Sequence, residues 1–140
     1  MRAEGFTTRR RRLYREKRAQ LDSLLQTPLL LFWGKWEGPN IRALTLAEEF
    51  TRPTFFLCEP GGGTYAFVQT IETDQLAALA GDVDIVAYHG AAELKAALAD
   101  RLGKYETVLA EVSDTFFGLD RLPPAYLKFL RSHVEVVSAD

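Results

Sequence analysis

The sequence predicts a three-layer α/β domain: a mixed sheet of about six strands flanked by helices. Three observations carry that prediction. Short apolar runs at Leu29–Trp33, Thr54–Cys58 and Tyr65–Gln69 have the length and composition of strands. The last two flank Glu59-Pro-Gly-Gly-Gly63, a turn-rich spacer whose simplest connection is a hairpin, so at least one strand pair must be antiparallel. Beyond Thr70 helical and strand patterns alternate to the last residue, as crossovers require. A purely parallel, doubly wound sheet is excluded by the hairpin.

Each element has a local reason. A first helix is expected from Thr8 to Gln26, capped by Thr7 or Thr8, with Tyr14, Leu21, Leu24 and Leu25 as its buried stripe and the arginines on the wet side. Pro28 ends it. Leu29–Trp33 is apolar at every position and is expected at the centre of the sheet. Gly34–Pro39 reads as a loop. Strands Thr54–Cys58 and Thr64–Thr70 make the hairpin. A helix capped by Thr73 follows, with Leu76, Ala77 and Leu79 as its face and Gly81 as terminator. Then come a strand at Val83–Tyr88, a helix at Ala91–Leu102 closed by Gly103, and a strand at Thr107–Val112. A last helix opens on Pro123-Pro124 and runs through Ser132, and Val134–Val137 is the final strand.

Length and composition fit one domain: 140 residues, 47% apolar and 26% charged. Residues 1–8 are expected to be a flexible arm and 9–140 the folded unit. No apolar run approaches the roughly 20 residues of a membrane span. Gln20, Asp22, Ser23 and Gln26 interrupt what would be the core of a signal peptide. A lone cysteine, Cys58, cannot form an internal disulfide, so a cytoplasmic protein is expected. The formal net charge of −2 hides an asymmetry. Eight of the 17 basic residues fall within the first 18 positions, opposed there only by Glu4 and Glu16. Such an arm could bind nucleic acid, or it could lie against the acidic remainder of its own domain. A nucleic-acid face usually adds aromatic stacking groups or base-reading polar residues to its charge, so charge alone does not define one.

Catalytic chemistry finds little purchase. The glycine triplet leads into a strand, whereas a phosphate cradle leads into a helix. His89 and His133 lie far apart without a second ligand at metal-binding spacing. Cys58 belongs to an apolar strand, where thiols are inert. Glu48-Glu49 and the Asp82/Asp84 pair read as solvated loop residues. Trp33, Trp36 and Phe50 surround the connection between the first two strands and could form a binding rim. Trp36, between Lys35 and Glu37, is the most exposed reading of the three.

The order of these elements resembles that of the N-terminal domain of the creatinase/prolidase/aminopeptidase P family of Xaa-Pro peptidases. The likeness extends from about Arg9 to Asp140. Its most specific part is Asn40-Ile41-Arg42-Ala43-Leu44-Thr45, which is similar to that family's Asn-Ile-Arg-Tyr-Leu-Thr-Gly-Phe, with Ala43 in place of Tyr and Leu46 in place of Gly. The resemblance implies a non-catalytic domain of a hydrolase, a prolidase-like Xaa-Pro dipeptidase or aminopeptidase P, that serves dimer assembly and caps the substrate cleft. It implies that two divalent metal ions, such as manganese, belong to a separate metallopeptidase domain, with no catalytic, cofactor or metal residue in this chain. The partners it implies are that catalytic domain and a second copy in a homodimer. Trp36, Asn40, Arg42, Phe50 and Arg52 are its candidate rim or interface residues. A stand-alone ligand-binding or regulatory module is the alternative.

Overall fold

A computed structural model describes residues 2–33, 39–45, 50–111 and 123–138, with side chains described from residue 8 onward and without that of Pro39. Helix α1 (Arg2–Asp22) leads into β1 (Leu29–Trp33), the short helix α2 (Pro39–Thr45), β2 (Thr54–Cys58) and β3 (Thr64–Gln69). A 3-10 helix (Thr70–Leu79) follows, then β4 (Asp84–Tyr88), α3 (Ala91–Leu102), β5 (Thr107–Ala110), α4 (Pro124–Arg131) and β6 (Glu135–Ser138). The six strands form one sheet in the order β4-β3-β2-β1-β5-β6. Only β2 runs against the rest: β1–β2 and β2–β3 are antiparallel, whereas β3–β4, β1–β5 and β5–β6 are parallel. The sheet is mixed, and β1 is interior as its wholly apolar sequence requires.

Alternation along the strands divides the core in two. Leu30 and Phe32 of β1, Phe55 and Leu57 of β2 and Phe67 of β3 point to one face, where Leu94, Leu98 and Leu102 of α3 and Leu130 of α4 cover them. Leu31, Trp33, Phe56, Cys58, Ala66 and Val68 point to the other, beneath Tyr14 of α1, Ile41 and Leu44 of α2 and Leu76 and Leu79 of the 3-10 helix. The result is three layers. Removing a fully buried ring such as Phe56 would cost about 3–5 kcal/mol.

Helix α1 departs from expectation in its start, its end and its buried face. It begins at Arg2, ahead of the expected caps Thr7 and Thr8, and stops at Asp22, short of the expected Gln26. Of the expected stripe, Tyr14 is buried and Leu21 and Leu25 pack against the core, while Leu24 is 80% exposed; Arg10 and Arg18 are buried beside Tyr14 at four-residue spacing, with Asp22 one turn further on. Arg10 donates to the carbonyls of Thr45 and Gln75 at 2.5 and 2.6 Å. Arg18 donates to Thr64 Oγ1 at 2.8 Å and to the carbonyls of Glu59 and Gly63. Tyr14 donates to the same Thr64 hydroxyl at 2.7 Å, and Asp22 accepts from Gly61 N at 2.8 Å. Arg9, Arg12 and Arg15 are exposed as expected, but Arg10 and Arg18 are the bolts that fix α1 to the rest of the domain. Carbonyls left over at a helix C-terminus need donors, and guanidinium groups supply them to the ends of α2 and the 3-10 helix.

The helix after β3 is also tighter than expected. Gln69, not Thr73, caps it, its side chain accepting from Ile71 N. Three residues per turn bring every third residue to one face. Leu76 and Leu79 are therefore buried while Ile71, Asp74 and Ala77 are exposed, so Ala77 leaves the predicted apolar face. Ala80, not Gly81, closes it. In the hairpin, Gly61 and Gly62 take φ of 97° and 100°, a region that side chains strain to enter. Helix α3 has the predicted bounds, with Gly103 as its cap.

Replacing Arg18 with Ala should therefore lower unfolding free energy by about 1–3 kcal/mol in urea titration, because the bonds of a buried guanidinium to Thr64 Oγ1 and to the Glu59 and Gly63 carbonyls are lost together. Arg18→Lys should recover only part of this, since an ammonium cannot reproduce the planar fork. Arg12→Ala, on the exposed side, should stay within about 0.5 kcal/mol of the parent. Equal losses at both positions would remove the polar stripe from the explanation of the fold.

Candidate functional site

Five strands point their C-terminal ends to the same edge of the sheet, the edge at which α/β folds place ligands. Asn40, the Thr51–Pro53 approach to β2, Gln69, His89 and Glu111 gather along it, whereas the glycine hairpin lies at the opposite end. The order of strands, and not sequence proximity, brings them together.

Asn40 and Arg42 lie on α2 and are exposed. Asn40 is held from below: its Nδ2 donates to Glu111 Oε1 at 2.5 Å, and Glu111 Oε2 accepts from Phe32 N at 2.5 Å. The β1–β5 ladder ends at Leu30↔Ala110. One residue beyond, the Glu111 carboxylate takes over as acceptor for β1 and carries Asn40 with it. Arg42 lies over the Trp33 ring, 5.1 Å from its centroid. Phe50 is fully buried and meets Trp33 edge-on at 5.0 Å, so it supports the rim from inside the core and presents no ring to solvent. A rim position for Phe50 is thereby corrected. Trp36 lies outside the described residues, as do Glu48 and Glu49.

Arg52 is exposed, and its approach is fixed by Glu72, which accepts from Thr51 N at 2.8 Å and from Arg52 N at 3.0 Å. Beside it, Arg52, Gln69, Tyr88, His89 and Tyr126 border a concavity of about 180 Å³. Tyr88 donates its hydroxyl to the Pro53 carbonyl. Burial, with Tyr126 and Glu72 adding to it, pushes the Tyr88 phenol up to about 12, so it stays a neutral donor across the physiological range. His89 is exposed and pairs at 3.3 Å with Glu93, which also accepts from His89 N at the start of α3. It is a helix-start residue. Among the described residues, no three His, Cys, Asp or Glu side chains gather as a metal site. Burial pushes the Cys58 thiol up to about 11, which makes it a poor nucleophile.

Sequence reasoning missed Glu111, Glu72, Tyr88 and Tyr126. Glu111 had one visible signal, a carboxylate closing an apolar strand. Glu72 was visible as an acidic helix start but not as a support for Thr51 and Arg52, and Tyr88 and Tyr126 had no signal, because their partners are distant in sequence. The acidic residues Asp82 and Asp84 also differ from a simple solvated pair. Asp82 accepts from Arg15 Nε at 2.9 Å, while Asp84 is exposed at the start of β4.

The opposite end of the sheet holds a second polar cluster. Glu59 accepts from Arg101 Nη2 at 2.6 Å and from the Tyr105 hydroxyl, and Arg101 stacks 3.8 Å from the Tyr65 centroid. Burial works to raise the Glu59 carboxyl, but the bonds from Arg101 and Tyr105 outweigh it and hold the group below its ordinary value.

With this architecture in view, the class of domain is defined: a three-layer α/β unit on a six-stranded mixed sheet. It has the fold of the creatinase/prolidase N-terminal domains of Xaa-Pro dipeptidases. The Xaa-Pro dipeptidase from Bacillus anthracis matches with a TM-score of 0.66 at 14% identity, covering 91% of this chain and 34% of that one. The creatinase/prolidase-like N-terminal domain of a protein assigned as a metallopeptidase from Corynebacterium diphtheriae matches at 0.66 and 17% identity, covering 91% and 98%. The creatinase/prolidase N-terminal domain of an X-Pro dipeptidase from Streptococcus pyogenes matches at 0.60 and 14%, covering 92% and 94%. The chain spans about a third of the length of the Bacillus anthracis dipeptidase. No family model and no curated protein sequence matches it.

The Glu59 cluster predicts a pH dependence. A carboxyl depressed only in the folded chain contributes stability above its ordinary value near 4.5, and that contribution is lost as pH falls through the folded value. The stability difference between the parent and Glu59→Gln should therefore narrow as pH drops below that value in urea titrations. Burial first, then the bond to Glu59, pushes Tyr105 up to about 12, so the same difference should persist in mild alkali and decline as pH rises from 10 toward 12. A gap independent of pH below 4.5 would show that the Glu59 charge contributes nothing.

Proposed function

We propose that this chain is the non-catalytic N-terminal domain of an Xaa-Pro dipeptidase- or aminopeptidase-like metallopeptidase, where it serves dimer assembly and caps the substrate cleft. One observation carries the reading: the match to the Bacillus anthracis Xaa-Pro dipeptidase covers 91% of this chain and about a third of that one. Domains cut from such enzymes match over nearly their whole length, which supports a self-contained unit. Hydrolysis belongs to the remaining domain, where two divalent ions would polarise the scissile carbonyl and activate water. In this reading the protein is a cytoplasmic hydrolase, and its catalytic domain and a second copy are its partners.

Asn40, Arg42 and Arg52 are the rim that faces the cleft, with Trp36 as a further member. Their bases are rigid: Asn40 is fixed by Glu111, Arg42 by its seat on Trp33, and the Arg52 backbone by Glu72. Fixed donors of this kind orient a peptide without having to be ordered upon binding. The rival reading, a free-standing ligand-binding module, finds its polar concavity at the strand ends. At about 180 Å³ that space is below the roughly 300 Å³ at which ligand pockets begin, although an apolar groove of about 500 Å³ beside Asn40 and Glu111 is not.

The test is the protein encoded by the complete reading frame. It should carry an Asp/His/Glu metal set and cleave Xaa-Pro dipeptides when loaded with manganese, while the 140-residue chain should not. Cleavage by the pure, manganese-loaded 140-residue chain would overturn the proposal. In the active protein, Arg52→Ala should raise KM with kcat and stability little changed; an unaltered KM removes Arg52 from the rim.

A further inference from the structure

On the face covered by α1 and α2, helical cover stops short of β5 and β6 among the described residues. A groove of about 500 Å³ opens there, with a floor of Leu29 and Leu31 of β1 and Leu109 of β5 and a wall of Leu21, Leu24 and Leu25. Three large apolar side chains are exposed among the described residues, Leu24 at 80%, Ile71 at 65% and Val137 at 39%. Two of them belong to this region. Leu24 forms the groove wall, and Val137 pairs with Leu109, which pairs in turn with Leu29, so the apolar row runs across β1, β5 and β6 on one face.

The charged groups on the groove are already engaged inside the domain. Lys17 donates to the Ala43 carbonyl, and Glu111 holds Asn40 and Phe32 N. What the groove offers a partner is therefore apolar contact, the character of permanent interfaces. Its position names the partner. Ser138, the last described residue of β6, pairs with Ala110, next to the Glu111 end of the groove. In the Bacillus anthracis dipeptidase about two-thirds of the chain lies outside the matched part. Polypeptide that follows β6 in such a protein starts beside the groove.

We infer that this groove is the docking surface for the domain that follows β6 in the same polypeptide, whose apolar side chains cover Leu24, Leu109 and Val137. The inference rests on the reading above and adds the surface through which the two domains hold together. Alkylation of an introduced thiol tests it. Cys58 is buried and its thiol is pushed up to about 11, so it stays silent. Leu24→Cys should react with a maleimide at the rate of an exposed thiol in the 140-residue chain, and at least about tenfold more slowly in the full reading-frame protein. Ala92→Cys, exposed on α3, should react alike in both. Equal Leu24→Cys rates in a full-length, active metallopeptidase would overturn the docking surface and leave the domain reading standing. Protection already present in the 140-residue chain, and lost on dilution, would assign the groove to a second copy and overturn the inference. A frame without a metallopeptidase domain fails the underlying reading, and the inference with it.

Discussion

The fold depends on a helix whose buried face is made of arginine and tyrosine. Arg10, Tyr14, Arg18 and Asp22 occupy one side of α1 and reach three separate parts of the chain: the end of α2, the 3-10 helix and the β2–β3 turn. Burying a guanidinium is costly unless its hydrogens find acceptors; Arg10 reaches two backbone carbonyls, and Arg18 reaches two more and the Thr64 hydroxyl. The carbonyl at the end of α2 in turn needs a donor, and the Glu59 and Gly63 carbonyls of the glycine turn accept a second bond beside their backbone one. Need is mutual. The apolar contacts of the two cores supply most of the favourable free energy, while these directional bonds fix where α1 lies and which way the hairpin bends.

That arrangement separates the domain into a closed end and an open end. At the hairpin end, Arg18, Asp22, Arg101, Tyr105 and Glu59 bond to one another or to nearby backbone. At the other end, exposed Asn40, Arg42, Arg52 and His89 stand on buried or half-buried supports supplied by Glu111, Trp33 and Glu72. Polar side chains on fixed supports suit recognition of a partner. The basic arm, by contrast, has become part of the scaffold: Arg10, Arg11, Arg15, Lys17 and Arg18 all have partners within the domain.

Legibility varied with the range of the forces involved. Helix α3 was legible to the residue, because its leucine spacing and glycine stop are local signals. The strands were legible from their apolar runs, with ends displaced by one or two residues. Helix α2 was not: at seven residues it is too short for periodicity to separate from a loop, although Ile41, Leu44 and Thr45 have helical spacing and are buried. The 3-10 helix was read with the wrong period, which placed Ala77 inside. Of the candidate rim, Asn40, Arg42 and Arg52 are exposed as a rim requires, but Phe50 is a core ring.

By itself the sequence determined the class of the fold, since apolar period and turn chemistry act over a few residues and cannot be satisfied by a bundle or a barrel. It also determined the hairpin, where only glycine enters φ near 100° cheaply. The tertiary structure alone decided which polar residues go inside. Arg10 is buried by carbonyls 35 and 65 residues away, and Glu111 is bound to Asn40 across 71 residues. No local pattern records such distances, because the acceptors exist as a set only after the sheet has assembled.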